Sequence, residues 1–160
     1  MIKTITGDIL NVKNGIICHQ VNYYGSMGGG VAASIAERIL PDDRYKEYVD
    51  YCKKYGRTAL GHVQFLNCGD IIVANLFCQD DALLSDKRRP FVDTITNYDL
   101  MSVCFASVRS AAQISGKRIY IPRKIGCGIA GGDWRIVKGL IEEAFEFWPV
   151  EAFIVERGKN

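Results

Sequence analysis

Little in this sequence points to a metal, a membrane or a polyelectrolyte partner. It has two histidines, His19 and His62, far apart in the chain, and no H-E-x-x-H motif. Its six cysteines, at positions 18, 52, 68, 78, 104 and 127, form no C-x-x-C pair and no zinc-like spacing. Free thiols are therefore expected, several of them packed as small core residues in a reducing compartment. No metal and no cofactor is expected. Neither sign of charge dominates, with a formal net charge of +2 over 160 residues. The basic clusters are short, Lys87-Arg88-Arg89 and Arg123-Lys124. The first reads as a solvated loop. A nucleic-acid binder would concentrate positive charge on one face. No apolar run is long enough to span a bilayer, and Met1 to Asp8 lacks the apolar stretch of a secretory signal. A cytoplasmic protein without a membrane partner is expected. Neither a phosphate-binding G-x-x-x-x-G-K-S/T loop nor a G-x-S-x-G nucleophile elbow occurs. Without repeats, low-complexity tracts or linkers, residues 1–160 read as a single domain.

What the chain does have is two glycine-rich loops about a hundred residues apart. The first is Asn22-Tyr23-Tyr24-Gly25-Ser26-Met27-Gly28-Gly29-Gly30-Val31, and the second is Ile125-Gly126-Cys127-Gly128-Ile129-Ala130-Gly131-Gly132-Asp133. Each follows a strand-like stretch and precedes a helix-like one. Glycine lets backbone amides approach and converge on an anion, and a helix start behind them adds its positive dipole end. Two such loops suggest the two sides of a pyrophosphate-sized pocket.

The patterning places strands over residues 1–5, 15–21, 63–66, 71–77, 118–122 and 151–155. Helices are expected from about Gly29 to Leu40, over 42–55 with Gly56 as C-cap, from Thr96 to Ser115, and from Trp134 to Trp148 with Asp133 as N-cap. In the last helix Ile136, Val137, Leu140, Ile141, Ala144 and Phe145 should face inward. Asn67-Cys68-Gly69-Asp70 carries hairpin turn chemistry. Residues 79–92 read as a long polar loop. This alternation predicts a three-layer α/β fold with a mixed sheet, with the ligand beyond the carboxyl ends of the strands.

Gly126-x-Gly128-x-x-Gly131 matches the dinucleotide fingerprint, and Glu156 ends the next strand. A Rossmann domain carries that motif in its first βαβ unit, whereas here one strand and a short tail follow the helix. His19, near the end of a buried strand, is open to two readings: a satisfied core histidine, or a general acid/base facing the pocket. Cys127 sits near a helix start, a setting that lowers thiol pKa, yet no base can be assigned to it and a space-filling role is favoured. Asp8 reads as a turn residue or as an acceptor for an adenine amino group.

Thr6-Gly7-Asp8-Ile9-Leu10, the strand with His19 and Asn22, then Gly28-Gly29-Gly30-Val31-Ala32, and Ile121-Pro122 leading into Gly126-Cys127-Gly128-Ile129 together resemble the macro domain. The resemblance covers nearly the whole chain in the right order. It is strongest to a small single-domain branch that includes an ADP-ribose 1″-phosphate phosphatase and the terminal ADP-ribose protein glycohydrolase. It implies an α/β/α fold and a cleft for ADP-ribose or a derivative, with nucleic acid a partner only as an ADP-ribosylated substrate. Carried across, Asp8 and Ile9 would hold the adenine, and Gly28, Gly29, Gly30 and Val31 would flank the diphosphate and distal ribose. Gly126, Cys127, Gly128, Ile129 and Ala130 would wrap the diphosphate from the other side. Asn22 would face the distal ribose, and His19 would supply acid/base or water-orienting chemistry. The lysine and aspartate used by the glycohydrolase branch fall at Cys78 or Gln79 and at Ala130, with Lys124 and Asp133 nearby. Another hydrolase branch has an aspartate where this chain has Ala32. The resemblance therefore implies a phosphatase acting on ADP-ribose 1″-phosphate, with a non-catalytic ADP-ribose reader and an ADP-ribosyl glycohydrolase as alternatives.

Overall fold

The computed structural model describes residues 1–81 and 94–158. Six strands, β1 (Ile2–Thr6), β2 (Gly15–Gln20), β3 (Val63–Cys68), β4 (Ile71–Leu76), β5 (Ile119–Pro122) and β6 (Ala152–Glu156), form one sheet in the order β1-β6-β5-β2-β4-β3. Only the β3–β4 pair is antiparallel. Its closing pair is Cys68 and Ile71, so the turn is Gly69-Asp70, and Gly69 takes the φ of +75° that a tight hairpin requires.

Four helices among the described residues cover the sheet: α1 (Gly30–Arg38), α2 (Asp42–Tyr55), α3 (Tyr98–Ser115) and α4 (Trp134–Phe145). Strands covered on both faces need apolar residues on both, which is why β2 and β5 read as nearly unbroken apolar runs. The pleat then divides them. Ile16 and Cys18 join a core with Phe105 of α3 and Val137 and Ile141 of α4, while Ile17 joins Ile35 of α1 and Tyr48 of α2 on the opposite face. The result is the expected three-layer α/β/α arrangement around a mixed sheet.

Some boundaries differ from the sequence expectation. Helix α3 begins at Tyr98 rather than Thr96, because the Asn97 side chain caps it by accepting from the Leu100 amide at 3.1 Å. Thr96 is instead bridged to Gln79. Helix α4 ends at Phe145, short of Trp148, whose ring lies 3.6 Å beneath the Arg109 guanidinium. Ile136, expected inward, is 45% exposed, since the buried stripe runs through Val137, Ile141 and Phe145. Two 3-10 turns, Ile9–Asn11 and Gly56–Ala59, carried no periodic signal in the sequence. Of the polar loop expected over 79–92, residues 82–92 lie outside the described residues.

The sheet order places the site. β2 and β5 are parallel neighbours, so the loops that leave their carboxyl ends emerge side by side. From β2 the chain continues to α1 on one face, and from β5 to α4 on the other, which opens a crevice between the two strands.

Phe105 is fully buried and meets Phe145 edge-on, ring centroids 5.7 Å apart, to join α3 to α4. Phe105→Ala is expected to lower unfolding free energy by about 3–5 kcal/mol in urea titration, in line with other large-to-small core changes.

Candidate functional site at the carboxyl ends of β2 and β5

The crevice is a cleft of about 600 Å³. His19 lines it, as do Asn22, Gly28 to Ala32 from the first loop, Arg123 to Gly126 and Gly128 to Ala130 from the second. The amides of Gly28, Gly29, Gly128, Ile129 and Ala130 donate to nothing among the described residues. The first amides of α1 are also free of helical partners. Both walls thus carry uncommitted donors, and one wall ends in a helix start.

Each loop is held from behind. In the first, the Asn22 amide is used on both sides: its nitrogen donates to the Ser26 carbonyl at 2.7 Å, and its oxygen accepts from the Tyr24 amide at 3.0 Å. The buried Tyr48 hydroxyl donates to the Asn22 carbonyl at 2.6 Å. Asn22 thus shapes the loop from within. Tyr23 reaches across to Asp80, a buried carboxylate paired with Arg57 at 2.8 Å.

The second loop hangs on segment 94–97. The Thr94 hydroxyl donates to the Ala130 carbonyl at 2.8 Å, as does the Ile95 amide at 2.9 Å. The Thr96 hydroxyl accepts from Gln20 at 3.1 Å and donates to the Gly126 carbonyl at 2.7 Å. At the far end the loop folds on itself, with the Gly132 amide donating to the same Gly126 carbonyl at 2.9 Å. A Cβ at position 132 would lie 2.5 Å from that oxygen, so the crossing admits only glycine.

The two loops meet at the mouth. Ile129 is 97% exposed, and its Cδ1 lies 3.8 Å from where a Cβ on Gly29 would be. Two cations, Arg123 and Lys124, also line the cleft. Arg123 is 3.5 Å from Glu156 and sits over the Trp134 ring. The Lys124 ammonium makes no hydrogen bond or ion pair among the described residues, and the residue takes a left-handed φ of +65°, rare for a non-glycine residue.

His19 is 2% exposed, and its Nε2 is 2.5 Å from the Asn75 side-chain oxygen. Nδ1 has no partner. Burial penalises the imidazolium more than the Asn75 bond favours it, and the ring's pKa falls to about 4. The ring is neutral at pH 7 and suited to accepting a hydrogen bond rather than donating a proton.

Of the residues expected to act, the cleft brings together His19, Asn22, Gly28, Gly29, Gly30, Val31, Gly126, Gly128, Ile129 and Ala130. Asp8, Ile9 and Cys127 are not in its lining. The Asp8 carboxylate accepts from the Leu10 amide at 2.9 Å, and Ile9 is buried below it. Cys127 turns its sulfur toward the Ile125 carbonyl at 3.3 Å. Burial, and then Asp133, push its thiol pKa up, contrary to the lowering expected beside a helix start. The supporting residues Gln20, Tyr48, Asn75 and Thr96 were not expected. Their sequence signal was slight: Gln20 and Asn75 are polar residues inside otherwise apolar strands.

Fold and cleft together define an α/β/α domain with a glycine-walled cleft at the switch point of its sheet. Comparisons with known proteins agree. No family model matches the sequence. Over 81 residues the chain is 36% identical to the ADP-ribose 1″-phosphate phosphatase of Saccharomyces cerevisiae (strain YJM789), a match covering 48% of this chain and 45% of that protein. The match therefore spans about half the length of that curated relative. The solved macrodomain of Thermus aquaticus DarG superposes with a TM-score of 0.76 at 24% identity, covering 98% of each chain. Thermosipho africanus DarTG in complex with ADP-ribose gives 0.70 at 17% identity, covering 95% of this chain and 40% of that one. The fold is that of a macrodomain. No described helix is long and apolar enough to cross a membrane.

His19 gives the cleft a pH signature. Its folded pKa, about 4, lies below the ordinary 6.5, so the unfolded chain takes up the proton first as pH falls. Stability is fully present above about pH 6.5 and is lost toward pH 4, by about 3 kcal/mol at completion. His19→Gln should remove that share of the loss, measured as the difference between the two proteins' urea unfolding free energies at pH 7 and pH 4.

Proposed function

We propose that the cleft binds ADP-ribose or a derivative of it and hydrolyses ADP-ribose 1″-phosphate to ADP-ribose and phosphate. The observation that carries this reading is the pairing of two glycine walls, each with uncommitted amides, around one cleft with a neutral histidine in its lining. A diphosphate between those walls would accept from the free amides of both loops, which suits a chain with little net charge. The ADP-ribose bound to DarTG and the activity of the partly matching phosphatase favour the same ligand class.

In the reaction, water attacks phosphorus, the bond from phosphorus to the ribose oxygen breaks, and a proton passes to the departing hydroxyl. The loop amides would stabilise charge developing on the phosphoryl oxygens. His19, neutral at pH 7, would position the bound molecule by accepting a hydrogen bond at its free nitrogen rather than serve as an acid. Lys124 favours a second reading. A cation in the cleft lining without an assigned partner could serve an ADP-ribosyl glycohydrolase acting on modified protein or DNA. The chain is further proposed to act as one domain in the cytoplasm.

Calorimetry should show ADP-ribose binding that Gly29→Glu abolishes, since the glutamate would enter the mouth beside Ile129. Phosphate release from ADP-ribose 1″-phosphate should fall by on the order of 100-fold in His19→Ala, within the range for loss of a group that positions a reactant. Binding without release would leave a non-catalytic reader. Release of ADP-ribose from modified protein or DNA, lost in Lys124→Ala, would assign the glycohydrolase instead. Absence of binding would overturn the whole reading.

A further inference from the structure

A row of polar side chains crosses the otherwise apolar α1/α2 face of the sheet. His19, Asn75 and Gln64 are direct register partners on β2, β4 and β3. Their neighbours on that face include Ile17, Val73, Leu66 and Phe77, all fully buried. Asn75 is 0% exposed. Polar groups in such a layer cost stability unless each is bonded, and here the bonds form a chain. The Gln64 amide nitrogen donates to the Glu47 backbone carbonyl in α2 at 3.2 Å. The Asn75 nitrogen donates to the Gln64 oxygen at 3.1 Å, and the Asn75 oxygen lies 2.5 Å from His19 Nε2.

The chain has a direction because one end is fixed. A backbone carbonyl only accepts, so Gln64 must present its nitrogen to Glu47 and its oxygen to Asn75. Asn75 must then present nitrogen to Gln64 and oxygen to His19. An oxygen facing Nε2 requires the proton on that nitrogen. The opposite tautomer would turn each amide in sequence and end with two oxygens opposed at Glu47. Nδ1 is therefore a bare lone pair, and it is the one buried side-chain polar atom without a partner among the described residues.

We propose that Gln64 and Asn75 are positioning residues which, anchored on the Glu47 carbonyl, hold His19 in its Nε2–H tautomer so that Nδ1 accepts from a hydroxyl of the bound ligand. The identity of that ligand, a ribose-bearing ADP-ribose, rests on the function proposed above. The tautomer itself does not. A hydroxyl is the chemistry selected, because a group that only accepts would meet Nδ1 lone pair to lone pair.

The test is nitrogen NMR of the imidazoles in the intact chain at pH 7. With two histidines in the sequence, His62→Gln leaves the His19 signals alone. The ligand-free protein should show a protonated Nε2 and an unprotonated Nδ1. Gln64→Met, on an edge strand at a half-buried position, removes the acceptor for Asn75 and should populate both tautomers with backbone shifts elsewhere unchanged. Gln64→Glu keeps an obligate acceptor and should restore the single tautomer. A proton on Nδ1 in the unmutated ring, or a Gln64→Met ring identical to it, would overturn the proposal. Saturating ADP-ribose should move the Nδ1 resonance toward the hydrogen-bonded range. If ADP-ribose binds and Nδ1 does not move, the hydroxyl contact is wrong while the ligand stands. If ADP-ribose does not bind, the ligand reading fails and the tautomer result still decides the relay.

Discussion

The Thr96 hydroxyl is the strut on which the cleft depends. It accepts from Gln20 at the end of β2 and donates to the Gly126 carbonyl, and so ties the strand that launches the first loop to the backbone of the second. The Gly126 oxygen is shared with the Gly132 amide, so one carbonyl collects the strut and the loop's own closure. Glycine loops supply amides but no rigidity, because an unsubstituted backbone has the most freedom to lose on ordering. Rigidity has to come from outside, and here it comes from residues in or just beyond regular elements: Gln20, Thr94, Thr96 and Tyr48.

The end of β2 does two jobs at once because strands alternate. His19 points toward the α1/α2 layer, where it meets Asn75, and Gln20 points toward the α3/α4 layer, where it meets Thr96 and the Cys78 thiol. Adjacent residues in sequence thus serve opposite faces of the sheet, one presenting chemistry and the other supporting a wall. The Cys78 thiol, held well above its ordinary pKa by burial, stays protonated and can donate to the Gln20 oxygen. That leaves the Gln20 nitrogen for Thr96.

The architecture was legible in the sequence where apolar period and turn chemistry coincided. The unbroken runs around Ile16 and Ile119, the Gly69-Asp70 turn and the Asp133 cap each carry local signals, and each stands where those signals put it. Both glycine loops were legible for the same reason. What holds them was not, because it is made of single polar residues whose partners lie far along the chain: Asn75 is 56 positions from His19, and Thr96 is 76 from Gln20. The 3-10 turn over Ile9–Asn11 escaped for a different reason, since three residues are too few to set up a period. The charge state of His19 was equally hidden, since desolvation depends on what packs around the ring and no sequence window contains that.

Lys124 shows how such a site limits its own improvement. Its left-handed backbone costs a residue with a Cβ about 1–2 kcal/mol that glycine would not incur. A change to glycine would relax the turn and strip the ammonium from the cleft lining, while an uncharged large residue would inherit the strain without the charge. Backbone ease and a cation in the cleft lining therefore pull this position in opposite directions.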